Sequence, residues 1–284
     1  MGSWCIVYLA SPRDRRIGSV FGDHRKFDIL AASIRIARQV FPSIDIYVFH
    51  EDFEESDMSA LPGVKEFLPV EFHGYEDLFV QHTFPKGYVL MCRFFSGQLQ
   101  RLPQLQAYTH YMRLDDDSYF QPPWITESHV ASLCAHDYVY RSVFYDLKDH
   151  QALFDATLQF IRESGYGQFV PELLRWLDTR GVVRNDRYTG LAPYNNFHLS
   201  SLRLWNHPLV SAYVDRLEAL QGCLRHGWLD ANIHAMIIWL LAPLIGMHVH
   251  HDGSFGYRHN KHVSRMDSPA IVWDASLPFY PSSD

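Results

Sequence analysis

Apolar positions fall along the chain in two spacings, and the alternation between them sets the architecture. Residues 4–10 form an unbroken apolar run that reads as a buried strand, ended by the polar stretch Ser11-Pro12-Arg13-Asp14. Phe27, Leu30, Ala31, Ile34, Ala37, Val40 and Phe41 then recur at helical spacing until Pro42 stops the pattern. Residues 44–49 read as a second strand and 64–72 as a third. A helix is expected over 89–107, bent or ended by Pro103, followed by a strand over 108–114. This β-α-β order predicts an α/β fold with a mostly parallel, Rossmann-like central sheet, helices on both faces and ligands at the carboxyl ends of the strands.

The second half is less regular. Helices are expected over 151–163, 171–179, 208–220 and 230–241, strands over 195–204 and 247–251, and a Pro-rich tail from Ser264 wrapped on the surface. Neither an internal repeat nor a long linker divides the chain, so residues 1–284 read as a single domain.

Composition narrows the function. Hydrophobic residues at 47% suffice for a core, and 25 Lys and Arg against 32 Asp and Glu, with no basic block, argue against a nucleic-acid surface. The aromatic share of 15% suits either a sugar-handling cleft, where rings stack on pyranose faces, or an aromatic-rich core. Cys5, Cys92, Cys134 and Cys223 lack metal-type spacing and sit among apolar neighbours, which predicts buried free thiols. The longest apolar candidate, residues 235–247, is short for a bilayer, so no transmembrane segment is expected. With no signal-like start, the expectation is a soluble, cytoplasmic protein.

Candidate chemistry centres on Asp115-Asp116-Asp117, which follows an apolar strand and precedes Ser118-Tyr119-Phe120. Three carboxylates within one turn repel one another unless a cation offsets them. A hard divalent ion, Mn²⁺ or Mg²⁺, would do so and bridge the diphosphate of a nucleotide donor; the plain alternative is an acidic, solvated turn. Among 17 histidines, His248, His250, His251, His259 and His262 share one window, of which one or two at most are expected beside the carboxylates. Hydrolase, zincin, Walker and dinucleotide motifs are missing. Arg13, after the first strand, and Arg93, on the helix leading to the acidic run, are candidate phosphate clamps or else surface ion pairs.

Five ordered segments carry a family resemblance. Met91-Cys92-Arg93-Phe94-Phe95-Ser96-Gly97 resembles M-C-R-F-[FWY]-S-G, and Tyr111-Met112-Arg113-Leu114-Asp115 resembles Y-W-R-V-E-P. Asn196-Phe197-His198-Leu199, with Leu202 and Trp205, resembles N-F-E-I-x-x-L-x-F-W. Trp228-Leu229-Asp230-Ala231 with His234 resembles W-G-D-A-x-x-H, and Asp252 with Gly256-Tyr257-Arg258-His259 resembles D-I-G-Y-x-H. These are segments of the yeast Golgi α-1,2-mannosyltransferases, glycosyltransferase family 15. The resemblance implies a GT-A fold with a nucleotide-sugar-binding half over residues 1–120 and an acceptor-binding half and tail over 121–284. It also implies GDP-mannose, Mn²⁺, retention of anomeric configuration, an oligosaccharide or glycoprotein acceptor, and a Golgi lumen location should an N-terminal anchor precede this sequence. Asp115 matches the metal-site acid and His259 a histidine near the metal.

Two positions depart from the pattern. The run Asp115-Asp116-Asp117 replaces E-P-x, and His198 replaces the Glu proposed as nucleophile. Imidazole substitutes poorly for a carboxylate that forms a glycosyl ester. An inverting reaction with another GDP- or UDP-linked sugar, and Asp230 as base, therefore stays open, Asp230 being otherwise a helix cap. The expected site is Asp115, Asp117 and His259 on the metal; Arg13, Arg93, Asp115, Asp116 and Tyr194 on the donor; and Asp230 and His198 at the reacting centre. Alternatives of other classes are a carbohydrate-binding protein without catalysis and a metal-dependent phosphoesterase.

Overall fold

A computed structural model describes residues 2–12, 15–17, 24–72, 75, 78–79, 84–274 and 276–278, apart from the side chains of residues 16 and 17. The strands that matter here are, in chain order, β1 (Trp4–Leu9), β2 (Ile46–His50), β3 (Glu66–Pro69), β4 (His110–Leu114), β5 (Ser118–Gln121) and β6 (Tyr138–Tyr140). They continue with β7 (Phe197–Ser201), β8 (Val249–His251), β9 (Gly256–His259), β10 (His262–Ser264) and β11 (Ile271–Trp273). Seven form the central sheet in the order β8-β6-β7-β4-β1-β2-β3, in which β7 alone runs against the rest. A second, antiparallel sheet has the order β11-β10-β9-β5.

Every residue of β1, β2 and β4 is buried, as expected of parallel strands covered on both faces. On one face, α1 (Lys26–Val40) sets Ile29, Leu30 and Ile34 against Ile6 and Tyr8, and the second sheet adds Phe120 and Tyr257 to the same cluster. On the other face Val7 and Tyr111 join Phe94, Phe95, Met236 and Trp239. The α/β reading with a mostly parallel sheet holds, with strands sharing one of the helical layers.

The long helix expected over 89–107 is broken. Regular helix α2 (Lys86–Arg93) gives way to a π-type turn, Phe94–Gln98, then to 3-10 turns Leu99–Arg101 and Pro103–Ala107. The break falls at Gly97, whose φ is 151°, rather than at Pro103. A Cβ there would lie 2.3 Å from Val214 Cγ1, so only glycine lets the helix at Pro208–Ala219 pack this close. The strand expected over 195–204 stops at Ser201, whose hydroxyl accepts from the Leu204 N–H and caps the short helix Leu202–Trp205. The tail is more ordered than its composition suggests, because β11 pairs with β10. All four cysteines are free; Cys134 is only half-buried. Among the described residues no helix is long and apolar enough to cross a membrane.

Candidate active site and metal centre

The acidic run is the turn that carries the chain from the central sheet into the second sheet. β4 ends at Leu114, the Asp115 N–H donates to the Asn196 carbonyl of the neighbouring strand end, and the Ser118 N–H donates back to Asp115 O to close the reversal. β5 then pairs with β9 in a register that sets His259 opposite Ser118. The Asn260 N–H donates to the Asp117 carbonyl, fixing the end of β9 against the turn. Residues more than 140 positions apart therefore meet: His259 Nε2 lies 2.6 Å from Asp117 Oδ1 and 3.8 Å from Asp115 Oδ2.

Ligand atoms of Asp115, Asp117 and His259 all lie within 4.8 Å of one another, close enough to reach one ion. Two carboxylates and one imidazole are hard or borderline donors, a set that suits Mn²⁺ and, because of the nitrogen, suits Mg²⁺ less well. Tyr194 supports the set from behind, its hydroxyl 2.9 Å from His259 Nδ1, and so orients Nε2 toward the carboxylates. Burial opposes a charge on His259, but Asp117 outweighs it and holds the imidazole above its usual range.

Asp116 faces away from this set. It is buried, accepts from Lys26 Nζ at 2.7 Å and from Ser11 Oγ at 3.0 Å, and Lys26 also stands 3.8 Å from Asp117. Lys26 is the first residue of α1, so the helix start delivers an amine into a carboxylate cluster. Burial alone would lower the lysine, but Asp116 and Asp117 raise it, and it stays charged.

On the opposite side of the turn, Arg113 leaves β4 with 1% of its side chain exposed and lies over the Phe95 ring. Its guanidinium bridges two carboxylates, Asp115 at 2.9 Å and Asp230 at 2.5 Å. Asp230 opens α3 (Asp230–Met236), but the N-cap position belongs to Leu229 and the Asp230 carboxylate caps nothing. It accepts from Arg113 and, at 3.0 Å, from Asn195 Nδ2. Burial would raise this carboxyl; Arg113 and His234 hold it below the ordinary carboxylate range.

These groups line a cleft of about 530 Å³ at the carboxyl ends of β1 and β4, together with Leu9 to Pro12, Arg15, Glu51, Phe144 and Asp146. The volume is that of a small-molecule site, and the position is where open α/β sheets bind nucleotides.

Of the residues picked from sequence, Asp115, Asp116, Asp117, Tyr194, Asp230 and His259 all line this cleft. Arg13 lies outside the described residues. Arg93 is elsewhere: it donates to Glu218 at 2.6 Å and lies over the Tyr75 ring, because the last turn of α2 faces the short helix Gly222–His226 rather than the sheet edge. His198 is a core residue. The register of β7 sets it opposite Arg113, fully buried, 3.2 Å from Tyr111 OH and from the Asn195 carbonyl, and stacked on Tyr138. Burial pushes its pKa well down, and it does not line the cleft. His248, His250 and His251 also stay out of the cleft, His250 stacking on His136. Sequence reasoning missed Lys26, which carries no local signal, and Arg113, whose signal was a charge in the middle of an apolar strand.

Comparison with known proteins places this geometry. The glycolipid 2-alpha-mannosyltransferase family matches residues 76–277. The chain belongs to this family. Its relatives include an alpha-1,2 mannosyltransferase of Saccharomyces cerevisiae, KTR1, 28% identical over 61% of this chain and 43% of that protein. Another is glycolipid 2-alpha-mannosyltransferase 1 of Candida albicans, 24% identical over 74% of this chain and 52% of that protein. The chain thus spans about half the length of the curated relatives it matches. Among solved structures, core-mannan synthase A of Aspergillus fumigatus, in its Mn/GDP form, superposes with a TM-score of 0.72 at 17% identity, covering 99% of this chain and 81% of that one. The mannosyltransferase Ktr4p of S. cerevisiae gives 0.70 at 17% identity, covering 99% and 78%. The family's GT-A fold is therefore the fold of this chain, as the resemblance implied. The matched region begins after β3, so Ser11 and Lys26 reach the acidic turn from the segment before it.

Proposed function

We propose that the chain is a Mn²⁺-dependent glycosyltransferase that moves mannose from GDP-mannose to a hydroxyl of a glycan. The observation that carries this reading is the convergence of Asp115, Asp117 and His259 at the edge of a parallel sheet, in a cleft of nucleotide size. The relatives named for alpha-1,2-mannosyl transfer support the sugar and linkage class, and the Mn/GDP form of the Aspergillus synthase supports metal and base.

Asp115, Asp117 and His259 would hold the ion, which when bound neutralises the diphosphate as the sugar leaves. Arg15 and Lys26 line the same wall and supply positive charge toward the donor phosphates. Asp230 is fixed from two sides and held at low pKa by Arg113, which makes it a weak proton acceptor. Such a carboxylate suits a different task, stabilising positive charge that develops on the sugar carbon or accepting a sugar hydroxyl. His198 is buried in the core, whereas Asp230 lines the cleft.

A thermal-shift panel of GDP- and UDP-linked sugars, with and without Mn²⁺, tests the reading. GDP-mannose with Mn²⁺ should raise the melting temperature most, and Asp117→Ala should remove that rise while the unliganded melting point stays within a few degrees. Equal shifts with UDP-sugars, or full stabilisation in excess chelator, would sink it.

A further inference from the structure

One wall of the cleft continues past the metal centre and ends in a carboxylate that the reading above does not use. From His259 it passes to Tyr194, whose ring meets Phe144 edge-on at 5.7 Å, and on to Asp146 just beyond the strand Val143–Tyr145. That strand pairs with Leu191–Pro193, the strand that leads into Tyr194. We propose that Asp146 is a specificity-determining residue that accepts a hydrogen bond from a hydroxyl of the acceptor glycan.

Asp146 is built as a fixed acceptor. His150 Nε2 donates to Oδ2 at 2.8 Å and Asn232 Nδ2 to the same oxygen at 3.0 Å, while the Lys148 N–H donates to Oδ1 at 3.0 Å. His150 and Asn232 are both buried, whereas the Asp146 side chain keeps 19% exposure and lines the cleft. A carboxylate offers about four lone-pair sites, so three internal donors leave about one free for a ligand. The backbone is clamped too: the Asp146 N–H donates to Gly190 O at 2.9 Å, and a Cβ on Gly190, at φ 81°, would lie 2.3 Å from Asp146 O.

Placement decides the ligand. The nucleotide end of a GT-A cleft lies at the carboxyl ends of β1 and β2, here Leu9 to Pro12 and Glu51. Asp146, Phe144 and Asn232 come from the second half of the chain and line the other part of the same cleft. An aromatic ring beside a fixed carboxylate is the chemistry that binds a sugar, the ring taking the apolar face and the carboxylate a hydroxyl. His150 and the other donors hold Asp146 at about 2, so it stays ionised and binds rather than abstracts a proton. The assignment rests on the glycosyltransferase reading.

The test uses the full chain with Mn²⁺ and compares wild type with Asp146→Asn. The acceptor probe is methyl mannoside and the donor GDP-mannose. Losing one hydrogen bond to a charged group should raise the acceptor KM about 10- to 100-fold. Donor KM, GDP affinity and release of mannose into water should stay within about twofold of wild type. An unchanged acceptor KM overturns the assignment, and so does a loss of GDP affinity. Saturation-transfer NMR of methyl mannoside in the presence of GDP and Mn²⁺ reads the same contact without turnover. If wild type neither transfers nor hydrolyses GDP-mannose, the functional reading fails, and equal NMR signals in both proteins would separately overturn the Asp146 contact. Asp146→Glu keeps the charge but moves it by one methylene, and carries the same test should the amide destabilise the loop.

Discussion

Replacing Lys26 with methionine keeps the length and most of the apolar stem of the side chain and removes only its charge. The amine is 2.7 Å from Asp116 Oδ1, and the two side chains are 14% and 9% exposed. At an effective dielectric near 20 that contact is worth about 6 kcal/mol before desolvation. Taking the two groups out of water offsets much of this, and breaking a buried pair by removing one partner costs about 3–5 kcal/mol. Because the pair sits at a cleft wall, we expect about 3 kcal/mol for Lys26→Met. Asp116 would be left with Ser11 Oγ at 3.0 Å as its one remaining side-chain donor among the described residues, beside the Asp117 carboxylate.

Urea denaturation at pH 7 of wild type, Lys26→Met, Asp116→Asn and the double variant measures this directly. The double variant should recover about 2 kcal/mol relative to the sum of the singles, since removing the orphaned charge removes its penalty. A Lys26→Met loss below about 0.5 kcal/mol, or additive singles, would refute the view that the lysine is what lets three consecutive aspartates share one turn.

Other expectations follow from the same geometry. Arg93→Gln should leave Mn²⁺-dependent GDP binding by calorimetry unchanged, because Arg93 is bound to Glu218 and lies outside the cleft. Gly97→Ala should destabilise by about 3 kcal/mol, since the new Cβ meets Val214 and the φ of 151° disfavours a side chain; Val214→Ala in the same protein should return part of the loss in urea melts. His234 is buried between Tyr138 OH and the Phe95 carbonyl, and burial lowers it from 6.5 to about 4. The unfolded chain therefore takes up this proton first as pH falls, so stability should drop between pH 6.5 and 4, by up to about 3 kcal/mol from this group. Urea midpoints at pH 7.5 and 5 should show a smaller difference in His234→Gln than in wild type.

The apolar periodicity carried the frame because β1, α1, β2 and β4 are each buried along a single, regular pattern. The acidic turn was legible for the same reason: three carboxylates after a buried strand have few physical explanations. His198 was not, because its role depends on which face of β7 it occupies, and pairing with β4 turns it into the core opposite Arg113. Of the two readings of Arg93, clamp or ion pair, the structure shows the ion pair, away from the cleft. Helical phase over 89–107 was extrapolated through Gly97, where the helix breaks, and the guanidinium found Glu218, 125 residues away. Lys26 was invisible since a lysine at a helix start is ordinary until the fold brings the turn to it.

The departure from E-P-x is resolved by charge. Asp115, Asp116, Asp117 and Asp230 are four carboxylates in direct contact with two permanent cations, Arg113 and Lys26. With His259 neutral, two negative charges remain, which is the charge of one divalent ion. Asp116 stands outside the Asp115, Asp117 and His259 cluster, because Lys26 and Ser11 occupy its oxygens; it anchors α1 to the turn. The group that could hold an ion is two carboxylates and one imidazole despite the extra acid. Arg113 then ties the two ends of the cluster together, because the guanidinium that contacts Asp115 also contacts Asp230 and holds that carboxyl below its ordinary range. On the proposed function, metal binding at Asp115 and catalysis at Asp230 both depend on this one side chain. In Arg113→Met both should fail together, with metal affinity and turnover falling in the same variant, whereas Asp230→Asn should lose turnover and keep metal-dependent GDP binding in calorimetry.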